Sequence, residues 1–200
     1  DSQFGKLGLI NRTFQRCYLE DLGTESLFEN LINYENEGNS RYLFFYANYL
    51  IAQKNYLKAK DIFKDVDPIN STLLIAQAKK WIDEENYYDF RSFFSCKNSN
   101  DIIGEFLFII SNLYSMEYEI ENSNFYFNLS NFLNPKFKFN FVLLADNYLQ
   151  KEEFTKAKET LENFSKRNEV YYWYRVKKIT RIISEEKGHD KSFKYIKAKF

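Results

Sequence analysis

The chain offers one histidine, His189, as its only side chain that titrates near neutral pH without help from its surroundings. A Ser–His or Cys–His nucleophilic pair would have to use it. It stands in Lys187-Gly188-His189-Asp190, a polar run that reads as a solvated turn. The two cysteines, Cys17 and Cys96, have no neighbour at metal-ligand spacing, and carboxylates alone suit harder ions than zinc. Distance in sequence does not say whether the two meet. Two reduced thiols packed as small hydrophobes are expected. Carboxylates cluster in Asp83-Glu84-Glu85 and Glu152-Glu153, but again in predicted turns, where water keeps both groups ionised. No G-x-S-x-G, Gly-rich phosphate loop or H-E-x-x-H occurs. These residue types point away from an enzyme, and neither a cofactor nor a metal is expected.

Charge and composition narrow the partners. Lysine plus arginine number 28 and aspartate plus glutamate 28, so no net field draws the chain to nucleic acid or an anionic surface. Aromatic residues make up 20% of the chain, with 16 tyrosines and 21 phenylalanines, enough in principle for base-stacking platforms. The one basic-aromatic segment, Tyr171 to Lys178, belongs to a single predicted helix, so nucleic acid is an unlikely partner. No apolar run approaches the 18 or so residues a membrane span needs. With 2 prolines and 6 glycines, a turn-rich β-sandwich or a disordered linker is ruled out, and a run of helices is expected.

The elements that must position any site come from repetition. Leu107, Ile110, Ser111, Tyr114, Ser123, Phe127 and Ser130 recur 34 residues later as Phe141, Leu144, Ala145, Tyr148, Ala157, Leu161 and Phe164. Carried outward, one small-residue position falls at Ala47, Ala78, Ser111, Ala145 and Thr180. A second falls at Ala59, Phe90, Ser123, Ala157 and Ser192. Both series step by 31, 33, 34 and 35. The register predicts five helical hairpins, over 40–69, 71–101, 104–137, 138–171 and 172–200. Polar turns ending in an aromatic, such as Gln53 to Tyr56 and Glu84 to Tyr87, precede the second helices, and Pro68 and Pro135 are expected to end them. Phe90 stands where a small residue is wanted, so the second hairpin is expected to splay or pack differently. Residues 1–36 carry helical spacing in Leu9, Ile10, Phe14, Cys17, Tyr18 and Leu22. After a stop at Gly23 and an N-cap at Thr24, spacing resumes in Leu27, Phe28, Leu31, Ile32 and Tyr34. They read as a hairpin or N-terminal cap, with a polar turn at 35–39. About twelve helices result.

This pattern resembles the tetratricopeptide repeat, W-x2-L-G-x2-Y followed by A-x3-F and a late proline. Leu107 and Phe141 take the large first slot, Ser111 and Ala145 the small slot, and Tyr114 and Tyr148 the tyrosine slot. The resemblance spans 104–171 best, thins over 40–100 and 172–200, and is absent before residue 36. It implies an all-α, right-handed α-solenoid of antiparallel hairpins, acting as a non-catalytic scaffold that binds a peptide or partner helix in its concave groove. First-helix positions between the packing slots would line that groove: Arg41, Phe44, Asn48, Lys79, Glu105, Phe108, Asn112, Phe139, Asp146, Tyr174, Lys177 and Arg181, with Thr72, Ile75 and Val142 among them. A clamp for a C-terminal carboxylate does not fit, since Phe44 stands where such a clamp needs lysine and Asp146 would repel the ligand.

Alternatives are an RNA-binding helical repeat and an accessory or regulatory domain of a larger enzyme or assembly. The start at Asp1, with Met116 as the sole methionine, suggests a piece of something longer, and the end at Phe200 suggests a truncated array. Abundant Asn, Lys, Ile, Tyr and Phe hint at an AT-rich bacterial genome, with cytoplasm and periplasm both open.

Overall fold

Buried aromatic rings and buried small residues form the core of a chain whose described residues are mainly helical. The computed structural model describes residues 5–34 and 40–200. Twelve α-helices occur among them: α1 (Gly5–Tyr18), α2 (Thr24–Ile32), α3 (Ser40–Ala52), α4 (Tyr56–Asp61), α5 (Leu73–Asp83), α6 (Tyr87–Ser92), α7 (Ser99–Met116), α8 (Ile120–Leu133), α9 (Phe141–Gln150), α10 (Phe154–Leu161), α11 (Glu169–Lys187) and α12 (His189–Lys197). A single 3-10 turn, Lys138–Asn140, leads into α9, and no strand occurs among the described residues. The polar turn expected at 35–39 lies outside the described residues. The chain divides into two compact units, residues 1–106 with 132–137, and residues 107–131 with 138–200.

The first unit is cored by rings. Phe14, Phe28, Phe44, Phe45, Tyr46, Phe63 and Phe90 are fully buried, and Trp81 nearly so. Phe45 meets Phe94 edge-on at 4.6 Å between centroids, and Phe14 meets Phe45 at 5.3 Å. Each such side chain removed from water is worth about 1.5–3 kcal/mol, with somewhat more from edge-to-face geometry. At the rim, Lys58 on α4 bonds both Glu25 and Glu29 of α2, and Tyr46 of α3 donates to Glu29 at 3.1 Å. Lys58, then Tyr46, hold the Glu29 carboxyl below its usual range, while burial pushes the Tyr46 hydroxyl up to about 12.

The second unit packs Phe127, Ala145, Ala157, Leu161, Phe164, Tyr171, Val176 and Ile182 inward. A polar network sits within it. Ser111 Oγ donates to the Ser123 carbonyl at 2.8 Å, and the Asn147 amide donates to Ser123 Oγ and Asn124 Oδ1, each at 2.9 Å. Ser115 Oγ closes it by donating to Asn147 Oδ1 at 2.7 Å. Every polar atom of the Asn147 side chain is therefore satisfied, as burial demands.

The two small-residue series fall inside the protein. Ala47, Ala78, Ser111, Ala145, Ala59, Ser123 and Ala157 are each 0% exposed and Ser192 is 7% exposed, while Thr180 is half-buried. Only small side chains let two helix backbones approach closely at such points. Phe90 breaks the series by size. Its ring is wholly buried, stacked on Phe44 at 4.8 Å, and its carbonyl accepts from the Asn48 amide at 3.1 Å. A large ring thus takes the place of close approach there.

The turns carry a signal that residue types conceal. Glu20, Lys54, Glu85, Tyr118 and Glu152 all adopt left-handed backbone, with φ between 55° and 62°. They step by 34, 31, 33 and 34, repeating the small-slot spacings. In each case the next residue's N–H reaches back five positions, as from Asn55 to Leu50 and Glu153 to Tyr148, both at 2.9 Å. This pair of features is the Schellman closure of a helix C-terminus. The first of the five belongs to α1–α2, and Thr13, seven residues before it, is fully buried at the corresponding small position. The N-terminal hairpin therefore shares the geometry of the others. Its start signal differs from the expected one: Asp21, not Thr24, caps the turn by accepting the Gly23 N–H at 2.8 Å. That N–H, then Arg16, hold the Asp21 carboxyl below its ordinary range.

Two boundaries depart from expectation. Helix α4 stops at Asp61, well before Pro68, because the chain tightens into i→i+3 bonds such as Phe63 to Lys60 and Lys64 to Asp61. Pro135 does follow the end of α8 at Leu133. Left-handed backbone costs a side-chain-bearing residue about 1 kcal/mol. Tyr118 is 76% exposed, so Tyr118→Gly should raise stability by about 0.5–1 kcal/mol in urea titrations. A loss would contradict the left-handed turn.

Candidate binding surface

The twelve groove positions separate into core, paired and open groups. In the first unit, Phe44 and Asn48 are 0% and 3% exposed, and both face Phe90 on α6. Glu105 is 4% exposed and grips Arg41 through two parallel bonds, Nε to Oε1 at 2.7 Å and Nη2 to Oε2 at 2.6 Å. The Arg41 guanidinium lies over the rings of Phe45 and Phe137, at 5.6 and 5.3 Å. Lys79 pairs along its own helix with Asp83. Of the further positions, Ile75 is buried and Thr72 exposed. Phe44, Asn48 and Glu105 are thus packing residues rather than lining.

In the second unit Phe139 is 3% exposed and packs on Tyr171 at 4.7 Å, so it too belongs to the core. Asp146, on α9, accepts from Tyr174 Oη at 2.8 Å and from Lys178 Nζ at 2.6 Å, both on α11. Burial, and then the Asp146 charge, push the Tyr174 hydroxyl well above the usual phenol range. It is a hydrogen-bond donor, not a proton-transfer group, at any physiological pH. Tyr174 therefore holds α11 to α9 as much as it faces outward. Phe108 and Val142 are half-buried, whereas Asn112, Lys177 and Arg181 are exposed. Arg181 pairs along α11 with Glu185 at 2.8 Å. Of this unit's positions the exposed ones are Asn112 on α7 and Lys177 and Arg181 on α11, the helix that also carries Tyr174 and Lys178.

His189 opens α12, exposed, with its Nδ1 3.0 Å from Ser184 Oγ at the end of α11. The contact joins two ends of one tight helix junction, where Gly188 turns the chain at φ 85°. Among the described residues no group of three or more His, Cys, Asp or Glu side chains is arranged to hold a metal ion. No helix among them is long and apolar enough to cross a membrane.

Two features escape the sequence reading. Cys17 and Cys96 form a disulfide, with Cα atoms 5.6 Å apart, in place of the two reduced thiols expected. The end of α1 and the loop after α6 meet in the folded first unit, which a separation of 79 residues does not reveal. Beside it, Phe14 and Tyr18 of α1, Leu19 just after that helix, and Ser99, Ile102 and Ile103 of α7 line an apolar cleft of about 310 Å³. Leu19 is 70% exposed there, and the i, i+4 spacing of Phe14 and Tyr18 is the only trace of it in the sequence.

No protein-family model matches the chain, and neither a curated protein nor a solved structure does.

Proposed function

We propose that the chain is a tetratricopeptide-like array of hairpins, stacked as a right-handed solenoid, that acts as a non-catalytic scaffold for protein–protein contact. The carrying observation is the register of its left-handed turns. Five hairpins close in the same way at spacings that match the buried small-residue positions. Hairpins of one shape repeated along a chain bury their apolar faces on one another and present extended surfaces, the use to which helical repeats are put. Four of the groove positions implied by the resemblance are core, which leaves Asn112, Lys177 and Arg181, with Phe108 beside them, as the contact residues of the second unit. Their chemistry suits a peptide or helix with acidic and amide side chains, anchored by an apolar group against Phe108.

The test uses the purified chain as bait and a titration against the partner it captures. Asn112→Ala combined with Lys177→Glu is expected to weaken capture about tenfold or more, an interface loss of about 1.4 kcal/mol, without moving the melting temperature. Equal capture by the variant would remove this surface from consideration. Measurable turnover that vanishes with His189→Gln would overturn the non-catalytic reading itself.

A further inference from the structure

We propose that Cys17–Cys96 is installed by thiol–disulfide exchange with an oxidising protein disulfide of an oxidising compartment, and that Cys96 is the sulfur through which exchange enters. The inference goes beyond the scaffold reading and does not depend on it. The rings of Phe14, three residues before Cys17, and Phe94, two before Cys96, lie 5.7 Å apart and buried. A small pocket of about 40 Å³ touches both cysteines, and Phe94, Tyr49 and Ala52 share its wall with Glu20, Arg91 and Lys97. A nucleophile entering this pocket meets both sulfurs.

The two sulfurs are not equivalent there. Cys17 is held within α1 and is 3% exposed. Cys96 lies in the loop after α6, is 8% exposed, and precedes Lys97. Arg91 and Lys97 stand in the wall of the same pocket, and the thiolate is the form that exchanges. Lys97 also pairs with Glu20 at 2.6 Å, three residues after Cys17, and so draws the Cys96 loop to the α1 terminus independently of the sulfurs. The Ser95 N–H bonds to Asp101 at 2.9 Å, which fixes the same loop from its other end. Non-covalent contacts thus bring the thiols together before the bond exists.

The chemistry balances in two steps. Cys96 thiolate attacks one sulfur of the donor's disulfide, forming a mixed disulfide and releasing the donor's other sulfur as thiolate. Cys17, deprotonated to solvent, then attacks Cys96 Sγ, forming the intramolecular bond and releasing the donor's second thiolate. The chain loses two electrons and two protons, and the donor disulfide gains the two electrons. Such donors operate in secretory and periplasmic compartments, while the cytosol keeps thiols reduced. Of the two compartments open to a bacterial chain, this selects the periplasm.

Intact-mass measurement and alkylation in denaturant, on the full 200-residue chain exported to a bacterial periplasm, read the state directly. A mass 2 Da below the reduced value, with no alkylated thiol, is expected; two alkylated thiols would overturn the proposal. Entry through Cys96 is read by oxidised glutathione on folded single variants. Cys17→Ser is expected to form the mixed disulfide at least about tenfold faster than Cys96→Ser. Equal rates, or the reverse order, would overturn the assignment. Because a single variant can unfold, quenched-flow trapping of the reduced natural chain gives a second reading. Mixed disulfide is expected at Cys96 by peptide mass, and its appearance at Cys17 would overturn it.

Discussion

Removing the Cys17–Cys96 bond, by Cys17→Ala with Cys96→Ala, is expected to cost roughly 4–5 kcal/mol of stability on the chain-entropy estimate for a loop of this length. The bond ties the first helix to a loop 79 residues away, so without it the unfolded chain regains nearly the whole conformational freedom of the first unit. For a protein of this size that corresponds to a fall in melting temperature of roughly 10–15 °C. Calorimetry of the natural chain with and without a strong reductant gives the same comparison without mutation. The loss should appear in the transition of the first unit, where both cysteines lie. A melting curve indifferent to reductant would show that the bond does not constrain the fold.

Arg41→Met is expected to destabilise by about 3–5 kcal/mol, because it strands the Glu105 carboxylate in the core. The Glu105 side chain is 3% exposed, and both of its oxygens bond Arg41. The arginine is fixed in turn by the rings of Phe45 and Phe137, so the pair has little freedom to reach water. Pairing Arg41→Met with Glu105→Leu removes both charges and replaces them with apolar volume. Most of the loss should then return, and the double variant can equal the natural chain. Urea titrations of the two single variants and the double complete the cycle. An additive double variant would show that the two side chains do not act as a unit.

The helical class and the small-residue register were legible because both rest on local physics. A helix repeats every 3.6 residues, and a position that must admit a neighbouring backbone tolerates only Ala, Ser or Thr. Ala47, Ala145 and Ala157 announce themselves in that way, and all are fully buried. The α1–α2 hairpin was legible as a hairpin or cap, but its turn geometry, shared with four others, was not, because that turn is specified by backbone conformation. Glu20 is not a residue type that signals left-handed geometry, and Thr13 alone makes a faint small slot. Groove positions were legible only as far as Phe90 allowed. Its large ring stacks on Phe44, and its carbonyl takes the Asn48 amide, so both side chains lie in the core. Arg41 and Glu105 are 64 residues apart, and Cys17 and Cys96 farther still. Pairing over such distances depends on how hairpins fold back on each other, which no short window contains.

The five left-handed corners share one pattern of main-chain bonds across five different settings, so the residue type at each corner does not decide the geometry it marks. Evolution can rewrite those letters while keeping the length between helices, and sequence identity would then fade long before shape does. The same indifference makes exposed corners such as Tyr118 natural anchoring points for spectroscopic labels. A ruler stretched from corner to corner would report how one hairpin tilts against the next when a partner arrives.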